Sequence, residues 1–250
     1  MDYDKDFESL SVQTRHGRIN IMHHKGAGAP LFFLHGFAAS TRTWKRLVGY
    51  LDSSLDIYLM DMLGHGKSED PEADYSVRTQ LSVLTDVLEI LKIGKPILFG
   101  HSYGGWLAAL YAERSGNLKA LVLEDSAGLE EFSKEMHTDQ PKYKAEMFKQ
   151  AMLLNRKEHV IRSALASNDD GEHLTDKNLE SIKVPTLIIW VENDTTVMTK
   201  YARIFNEHIK GSVLRLVPDG QHTPHYTHPE MVAKMLAEFL VDINGNNGSG

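Results

Sequence analysis

The sequence predicts an α/β fold built on an eight-stranded, mostly parallel sheet flanked by helices. Short apolar runs rich in strand-forming residues alternate with longer helical patterns, as expected for βαβ units. The chain has 250 residues, of which 42% are hydrophobic, so it is long enough for one large domain with a buried core. A glycine-rich turn at residues 100–105 joins one of the apolar runs to a helical run.

The predicted strands are runs of apolar and β-branched residues bounded by turn residues. The first two are separated only by a turn that carries His16 and Gly17. The eight strands are expected at residues 7–14, 18–24, 30–35, 55–61, 95–99, 119–124, 184–190 and 212–217.

Helices are expected in the gaps between these strands. In the second of them, Leu81, Leu84, Leu88 and Leu91 recur at spacings of three and four, which marks a face packed on the sheet. The five helices of the core are expected at residues 41–51, 77–92, 103–114, 196–209 and 229–241.

Residues 129–181 interrupt this alternation, because they are polar, rich in Met and Lys, and helical in pattern. We interpret them as a helical cap inserted after the sixth strand, within a core domain of residues 1–128 and 182–243. Residues 244–250 are predicted to be a disordered tail, since they contain nothing that packs a core.

One helix of this insertion has an apolar side. That side either closes a small local core or lines a pocket, and the two roles are compatible. Its members are Met147, Phe148, Ala151, Met152 and Leu154.

The composition argues against several classes of function. Lys and Arg total 27 against 34 Asp and Glu, a net charge of −7, and no long basic cluster occurs, so we expect no nucleic-acid partner. The expected partner is a neutral or mildly polar small molecule, and the oligomeric state is not predicted.

Cysteine is absent, which excludes disulfides and thiol nucleophiles and is compatible with the cytoplasm, the location we expect. The acidic first residues do not resemble a signal peptide, and every apolar run is shorter than the roughly 18 residues that span a bilayer. We therefore expect a soluble protein with no membrane insertion.

Residues 100–104 read Gly-His-Ser-Tyr-Gly between a predicted strand and a predicted helix. This spacing is typical of a serine nucleophile on a strained strand-to-helix turn, where Gly100 and Gly104 keep side chains out of a crowded bend. The sequence therefore predicts Ser102 as a nucleophile. The neighbouring His101 either shapes an acyl pocket or packs beneath the turn, and the sequence does not decide between them.

A serine hydroxyl needs a neutral imidazole to take its proton and a carboxylate to orient that imidazole. His222 lies in a loop just after the last predicted strand, and Asp194 lies just beyond the seventh. Ligands of open α/β sheets bind at this carboxyl edge, so we predict His222 as the base and Asp194 as the acid.

The segment 34–37, Leu-His-Gly-Phe, ends the third predicted strand. Gly36 lets the backbone approach closely, and the amide of Phe37 is expected to form an oxyanion hole with the amide of Tyr103.

Together with residues 61–68, Asp-Met-Leu-Gly-His-Gly-Lys-Ser, these segments resemble the α/β-hydrolase superfamily, in particular its serine carboxylesterase-like branch. The resemblance spans residues 19–240 through four separately placed motifs in the same order. It implies a Ser102, Asp194 and His222 triad, and it identifies residues 129–181 with the variable cap. Because some relatives supply the acid from the end of the sixth strand, it also implies Asp125, which ends that strand here, as the alternative acid.

The resemblance implies a serine hydrolase that cleaves carboxylic esters of small or medium acyl chains through an acyl-enzyme. Two alternatives use the same triad, namely a carbon–carbon bond hydrolase and a cofactor-free perhydrolase. A third alternative, of another class, is a ligand-binding, receptor-like module on the same fold.

We expect neither a cofactor nor a metal. The nucleotide-binding glycine patterns are missing from the strand-to-helix turns. His222, His225 and His228 recur every third residue, but prolines at 224 and 229 break any continuous helix that would align them.

Overall fold

A computed structural model describes residues 1–136, 140–167 and 172–245. It contains one eight-stranded sheet in the order β1-β2-β4-β3-β5-β6-β7-β8. β1, β2 and β4 pair antiparallel, and all the other neighbours are parallel. The strands are β1 (Glu8–Thr14), β2 (Gly17–His24), β3 (Ala27–Leu34), β4 (Leu55–Met60), β5 (Ile97–His101), β6 (Ala120–Glu124), β7 (Thr186–Val191) and β8 (Val213–Val217). The predicted eight-stranded, mostly parallel sheet is confirmed.

Helices cover both faces of this sheet. On one face lie α1 (Val77–Ile90), α2 (Tyr103–Ser115) and α7 (Lys200–His208), and on the other lies α9 (Pro229–Gly245). α1 starts at Ser76, whose hydroxyl accepts a hydrogen bond from the amide of Thr79. The leucines predicted to face the sheet from α1 are buried or pack against the core.

Three of the predicted helices differ in the structure. The segment predicted as one helix at residues 41–51 forms two short 3₁₀ helices, Thr41–Lys45 and Leu47–Tyr50. Its β-branched residues and Gly49 disfavour an α-helix. A 3₁₀ helix has three residues per turn, so Trp44 and Leu47, which are three residues apart, still lie on the same side, and both are buried.

The helix predicted at residues 196–209 begins only at Lys200, and in the loop before it the amides of Thr196 and Val197 donate to the Asp194 carboxylate.

The last helix also differs from the prediction. α9 extends to Gly245, so residues 244 and 245 of the predicted tail are helical. Residues 246–250 lie outside the described residues. Just before α9, the four-residue helix α8 (Pro224–Thr227) follows the loop that carries His222, and each of these two helices starts at a proline.

Between β6 and β7 lie α3 (Glu130–Met136), α4 (Gln140–Leu154), α5 (Glu158–Ser167) and α6 (Asp176–Ser181). Among the described residues of this insertion, the only strand-like pairing is an isolated bridge between Leu129 and Leu174. Glu172 ties the returning segment to the core through ion pairs with Arg78 and Arg114.

The apolar side of α4 packs against the loop that follows β3. Ala151 lies in a cluster with Ala38 and Ile161, and the partly buried side chains of Met147, Phe148 and Met152 pack against that cluster. Leu154 is 71% exposed, so its predicted place on the apolar side is wrong. It lies in the last turn of α4, where the helix leaves the cluster.

None of the described helices is long and apolar enough to cross a membrane.

Backbones approach one another closely where α2 meets β3. A Cβ atom at Gly104 would collide with the backbone carbonyl of Leu34, and one at Gly100 would collide with the carbonyl of Gly104. Both contacts are with main-chain atoms, which cannot rotate away.

We expect Gly104→Ala to destabilise the protein by about 1–3 kcal/mol or more, because the added methyl group has no space. Gly94→Ala is the matched control, since nothing lies within 4 Å of a Cβ there, and it should leave stability nearly unchanged. Urea unfolding of both variants checks this. Equal free energies of unfolding for the two variants would show that α2 shifts to make room for the methyl group without loss of stability.

Candidate active site

Ser102 lies on a sharp bend between β5, which ends at His101, and α2, which begins at Tyr103. Its backbone has φ 52° and ψ −114°, a conformation that a non-glycine residue rarely adopts. Three backbone hydrogen bonds hold it there. The Ser102 amide donates to the Glu124 carbonyl at 2.9 Å, and its carbonyl accepts from the amides of Trp106 and Ala127, both at 3.1 Å. The bend presents the serine side chain at the carboxyl edge of the sheet.

The structure brings together the three side chains predicted to react. His222 Nε2 lies 2.9 Å from Ser102 Oγ, and His222 Nδ1 lies 2.6 Å from Asp194 Oδ2. A carboxylate only accepts hydrogen bonds, so the Nδ1–H donates to Asp194 and the Nε2 lone pair is left to accept the serine proton. This arrangement matches a hydroxyl, a base and an orienting acid.

The Asp194 carboxylate is held from both sides. Its Oδ1 accepts hydrogen bonds from the amides of Thr196 at 2.7 Å and Val197 at 3.2 Å, which leaves Oδ2 for the imidazole. The side chain is fully buried. Its orientation is therefore determined by the loop after β7 as well as by His222.

Asp125, the alternative acid, has a different role in the structure. Its Oδ1 accepts a hydrogen bond from the Val191 amide at 2.9 Å, and no described group pairs with its Oδ2. Burial, reinforced by the nearby carboxylates of Glu124 and Asp194, raises the pKa of Asp125 well above its ordinary value. The protonated form of Asp125 is thus favoured relative to an ordinary aspartate, and Asp194, not Asp125, lies on the imidazole.

The two predicted oxyanion donors belong to α2 and to the loop after β3, which approaches the bend at Ser102. Tyr103 is the first residue of α2, so its amide has no acceptor within the helix. Phe37 follows the end of β3, and its ring lies 6.0 Å from that of Tyr103. A Cβ atom at Gly36 would lie 2.7 Å from His101 Nδ1, so this close approach of the loop to the bend requires glycine.

His35 holds this loop from beneath. Its Nδ1–H donates to the Gly36 carbonyl at 2.8 Å, and its Nε2 accepts from the Met62 amide at 3.1 Å. Complete burial lowers the pKa of His35, which keeps the ring neutral and preserves this donor and acceptor pattern.

The segment 61–68, which contributed to the family resemblance, supports this loop. The buried Asp61 accepts hydrogen bonds from the amides of Thr41 at 2.7 Å and Lys67 at 3.0 Å. His65 donates to the Leu63 carbonyl, and burial lowers the pKa of His65 to about 3. Both residues organise loops, and neither hydrogen-bonds with the three reactive side chains.

His101 packs beneath the bend, which answers the question that the sequence left open. It is buried, and its Nε2–H donates to the backbone carbonyl of His222 at 2.6 Å. The histidine next to the nucleophile thus holds the loop of the proposed base.

Sequence reasoning missed the pairing of Glu124 with His225. The Oε2 atom of Glu124 lies 2.5 Å from Nδ1 of His225, in the core. The available signal was a charged residue at the end of the buried run 120–124, since such a group is almost never buried without a partner.

Among the described residues, two groups of side chains lie close enough to hold a metal ion. One joins His101, Asp125 and His222, and the other joins His101, Glu124 and His225. His228 belongs to neither group. In the second group, Glu124 and His225 are hydrogen-bonded to each other, and in the first group His222 is hydrogen-bonded to Asp194 and Ser102. The arrangement of these side chains therefore favours hydrogen bonding over metal coordination.

Comparison with known proteins agrees with the fold. The profile of a family described as "alpha/beta hydrolase fold" matches residues 29–166. The chain is 25% identical to monoacylglycerol lipase ABHD6 of Bos taurus, over 88% of this chain and 77% of the lipase.

It is also 25% identical to 2-hydroxy-6-oxo-6-(2'-aminophenyl)hexa-2,4-dienoic acid hydrolase of Metapseudomonas resinovorans, over 86% of this chain and 85% of that enzyme. Among solved structures, the esterase EaEST of Exiguobacterium antarcticum superposes with a TM-score of 0.75 at 21% identity, covering 93% of this chain and 99% of the esterase.

We expect Asp125→Asn to stabilise the protein increasingly as the pH rises. The folded-state pKa of Asp125 is raised. Above about pH 3.9, the ordinary value, the folded state therefore retains a proton that the unfolded chain has lost, and wild-type stability falls as the pH rises. Asparagine still accepts from the Val191 amide but does not titrate.

Urea unfolding of the two proteins at about pH 4, 5.5 and 7 measures this difference in free energy. Asp52→Asn is the control of opposite sign, because a hydrogen bond from the Ser54 backbone lowers the pKa of Asp52. A pH-independent difference for Asp125→Asn would show that Asp125 is ionised in the folded protein.

Proposed function

The chain belongs to the α/β-hydrolase family, and from that membership and the geometry of its site we propose that it is a serine hydrolase that cleaves carboxylic esters. Family membership confirms the resemblance drawn from the sequence and establishes the eight-stranded sheet as the α/β-hydrolase fold. The activity is our proposal. One observation carries it, namely the continuous hydrogen-bonded chain from Asp194 through His222 to Ser102, with distances of 2.6 and 2.9 Å.

In the proposed first half-reaction, Ser102 Oγ attacks the ester carbonyl carbon while its proton passes to His222 Nε2. The carbonyl oxygen becomes an oxyanion that accepts hydrogen bonds from the amides of Phe37 and Tyr103. Asp194 stabilises the imidazolium and does not itself take the proton. The carbon–oxygen bond to the alcohol then breaks, and His222 donates its proton to the leaving oxygen.

The second half-reaction releases the acid. His222 takes a proton from a water molecule, whose oxygen attacks the acyl carbon, and the bond to Ser102 Oγ breaks as the same imidazole returns a proton to it. Each half-reaction restores the neutral imidazole, so no cofactor is needed.

We propose that residues 129–181 form the cap over this site, inserted in a core of residues 1–128 and 182–243. α4 and α5 pack against Ala38, immediately after the proposed oxyanion donor Phe37, and they bring Met147 and Met152 beside that loop. Methionine adapts its shape to irregular apolar groups. We propose that this apolar surrounding receives an acyl chain of small or medium length.

A carbon–carbon bond hydrolase is the second candidate. It is favoured by the 25% identity to the hexa-2,4-dienoic acid hydrolase of Metapseudomonas resinovorans, which extends over 86% of this chain. The same serine, imidazole and amides would serve, with a carbon leaving group in place of the alcohol.

We expect the purified protein to hydrolyse nitrophenyl esters, with the highest kcat/KM at short or medium acyl length, when a series from acetate to palmitate is compared. Ser102→Ala should lower kcat by roughly 10⁵–10⁶, because the nucleophile and its base act as a unit. A fluorophosphonate probe should attach to Ser102, as peptide mass spectrometry would show.

Ser82 provides the matched control. Its Oγ lies 2.8 Å from His16 Nε2, so it is a second serine with a histidine partner, but it lies within helix α1 and not at a strand-to-helix bend. Ser82→Ala should keep full activity and the probe should not label Ser82. Equal turnover by wild type and Ser102→Ala would reject the esterase, and failure of wild type to react with the probe would favour the ligand-binding module.

We expect Asp194→Asn to lower kcat by about 10⁴, because an amide facing Nδ1 favours the wrong tautomer of His222. Asp125→Asn should stay within about threefold of wild type, since asparagine resembles the neutral acid that it replaces. Ester turnover by the two variants measures the difference. The reverse order would make Asp125 the acid.

A further inference from the structure

A second histidine–carboxylate pair lies buried behind the proposed triad. Glu124, the last residue of β6, and His225, in α8, both have fully buried side chains, and their Oε2 and Nδ1 atoms lie 2.5 Å apart. Burial of such a pair is costly and often contributes nothing to net stability, so its presence beside a reactive site suggests a role other than holding the core together. The proposed reaction steps use neither residue.

This pair is mechanically connected to the proposed base. His225 is three residues beyond His222, and it lies in a tight turn in which the amides of Tyr226 and Thr227 both donate to the Thr223 carbonyl. His225 and His222 are therefore linked by a short piece of backbone that leads into a hydrogen-bonded turn.

Other contacts fix the ring of His225. Its Nε2 lies 2.7 Å from the Thr43 hydroxyl oxygen, and its ring centroid lies 4.4 Å from that of Trp44. The 3₁₀ helix of residues 41–45 thus clamps His225 from the side opposite Glu124.

His101 holds the same loop from the direction of the nucleophile. Its ring lies 5.0 Å from the His222 ring and 4.7 Å from the His225 ring, and its Nε2–H donates to the His222 carbonyl. Burial and the two neighbouring histidines hold the pKa of His101 well below its ordinary value, so the ring is neutral and carries its single proton on Nε2. The backbone of His222 is consequently anchored to the residue that precedes Ser102.

We propose that Glu124 and His225 are positioning residues which, together with His101, hold the imidazole of His222 at hydrogen-bonding distance from Ser102 Oγ. This inference rests on the proposed function. The two residues touch neither the substrate nor the reacting atoms, and they act by restricting the turn that carries the base. Loss of the pair leaves the binding surface for the acyl group unchanged and lets His222 move away from the attack geometry.

The expected signature is a separation of kcat from KM. A misplacement of a reacting group by about 1 Å costs on the order of 10²-fold in rate, so we expect His225→Phe to lower kcat by about 10- to 100-fold. KM should stay within about twofold of wild type, because the substrate contacts are intact. The rate at which the fluorophosphonate probe labels Ser102 should fall by a similar factor.

His23→Phe is the matched control. His23 also pairs with a carboxylate, since its Nε2 lies 2.9 Å from Asp56, and it also stacks on an aromatic ring, that of Tyr58 at 4.1 Å. It lies on β2, away from the triad, so its loss should leave kcat, KM and the labelling rate unchanged.

Conservative variants separate positioning from packing. Glu124→Gln keeps an oxygen that accepts from the His225 Nδ1–H, and its kcat should lie within about threefold of wild type, whereas Glu124→Met keeps the volume, loses the acceptor and should resemble His225→Phe. Thr43→Val provides a milder test, because Thr43 is half-buried and we expect the variant to fold. Its kcat should decrease less than that of His225→Phe, at constant KM.

The assay uses full-length protein, nitrophenyl butyrate as substrate and the fluorophosphonate probe to count reactive sites, so that rates refer to folded enzyme. Wild-type kcat and labelling rate in both His225→Phe and Glu124→Met would overturn the inference. A rise in KM at constant kcat in these variants would also overturn it. If neither His225→Phe nor Glu124→Met folds, an unchanged kcat in Thr43→Val would overturn it. A wild-type protein that neither turns over the ester nor reacts with the probe would instead refute the proposed function, and this inference with it.

Discussion

The positive φ of Ser102 is the constraint on which the site depends. A strand that ended in relaxed geometry would turn the serine side chain along the sheet and away from the base. Here the bend is stabilised by the hydrogen bonds of the Ser102 backbone to Glu124, Trp106 and Ala127, so β6 and the loop after it hold the nucleophile in place. Glycines at 100 and 104 make the bend possible, because β5, α2 and β3 meet there with backbone against backbone.

Burial determines the electrostatics around this bend. His35 and His101 have lowered pKa values and Asp125 has a raised one, and in each of these residues the largest cause is loss of water. Burial therefore disfavours the charged form of each of the three side chains. Asp194 differs, because two backbone amides and the imidazole surround its carboxylate with donors. The carboxylate on the proposed base is thus surrounded by donors, while burial disfavours the charged forms of the three side chains near it.

All eight strands were predictable because each is a short apolar run, and burial in a parallel sheet leaves that pattern in the local sequence. The differences from prediction lie at helix boundaries and in the segment 41–51. α7 begins four residues later than predicted, after a loop in which Asp194 accepts from the amides of Thr196 and Val197, and the segment 41–51, with its β-branched residues and Gly49, forms 3₁₀ helices. Leu154 has the spacing of a buried residue, but α4 leaves its cluster before that position.

The sequence by itself determined the fold class, the strand-to-helix bend at Ser102 and the small set of side chains able to react with it, because these features depend on local spacing and on chain order. Only the tertiary structure decided which carboxylate meets His222, what His101 does, and that Glu124 pairs with His225. These contacts join residues 28 to 121 positions apart. Their partners are determined by strand register and by loop paths across the carboxyl edge of the sheet, and neither leaves a periodic pattern in the chain.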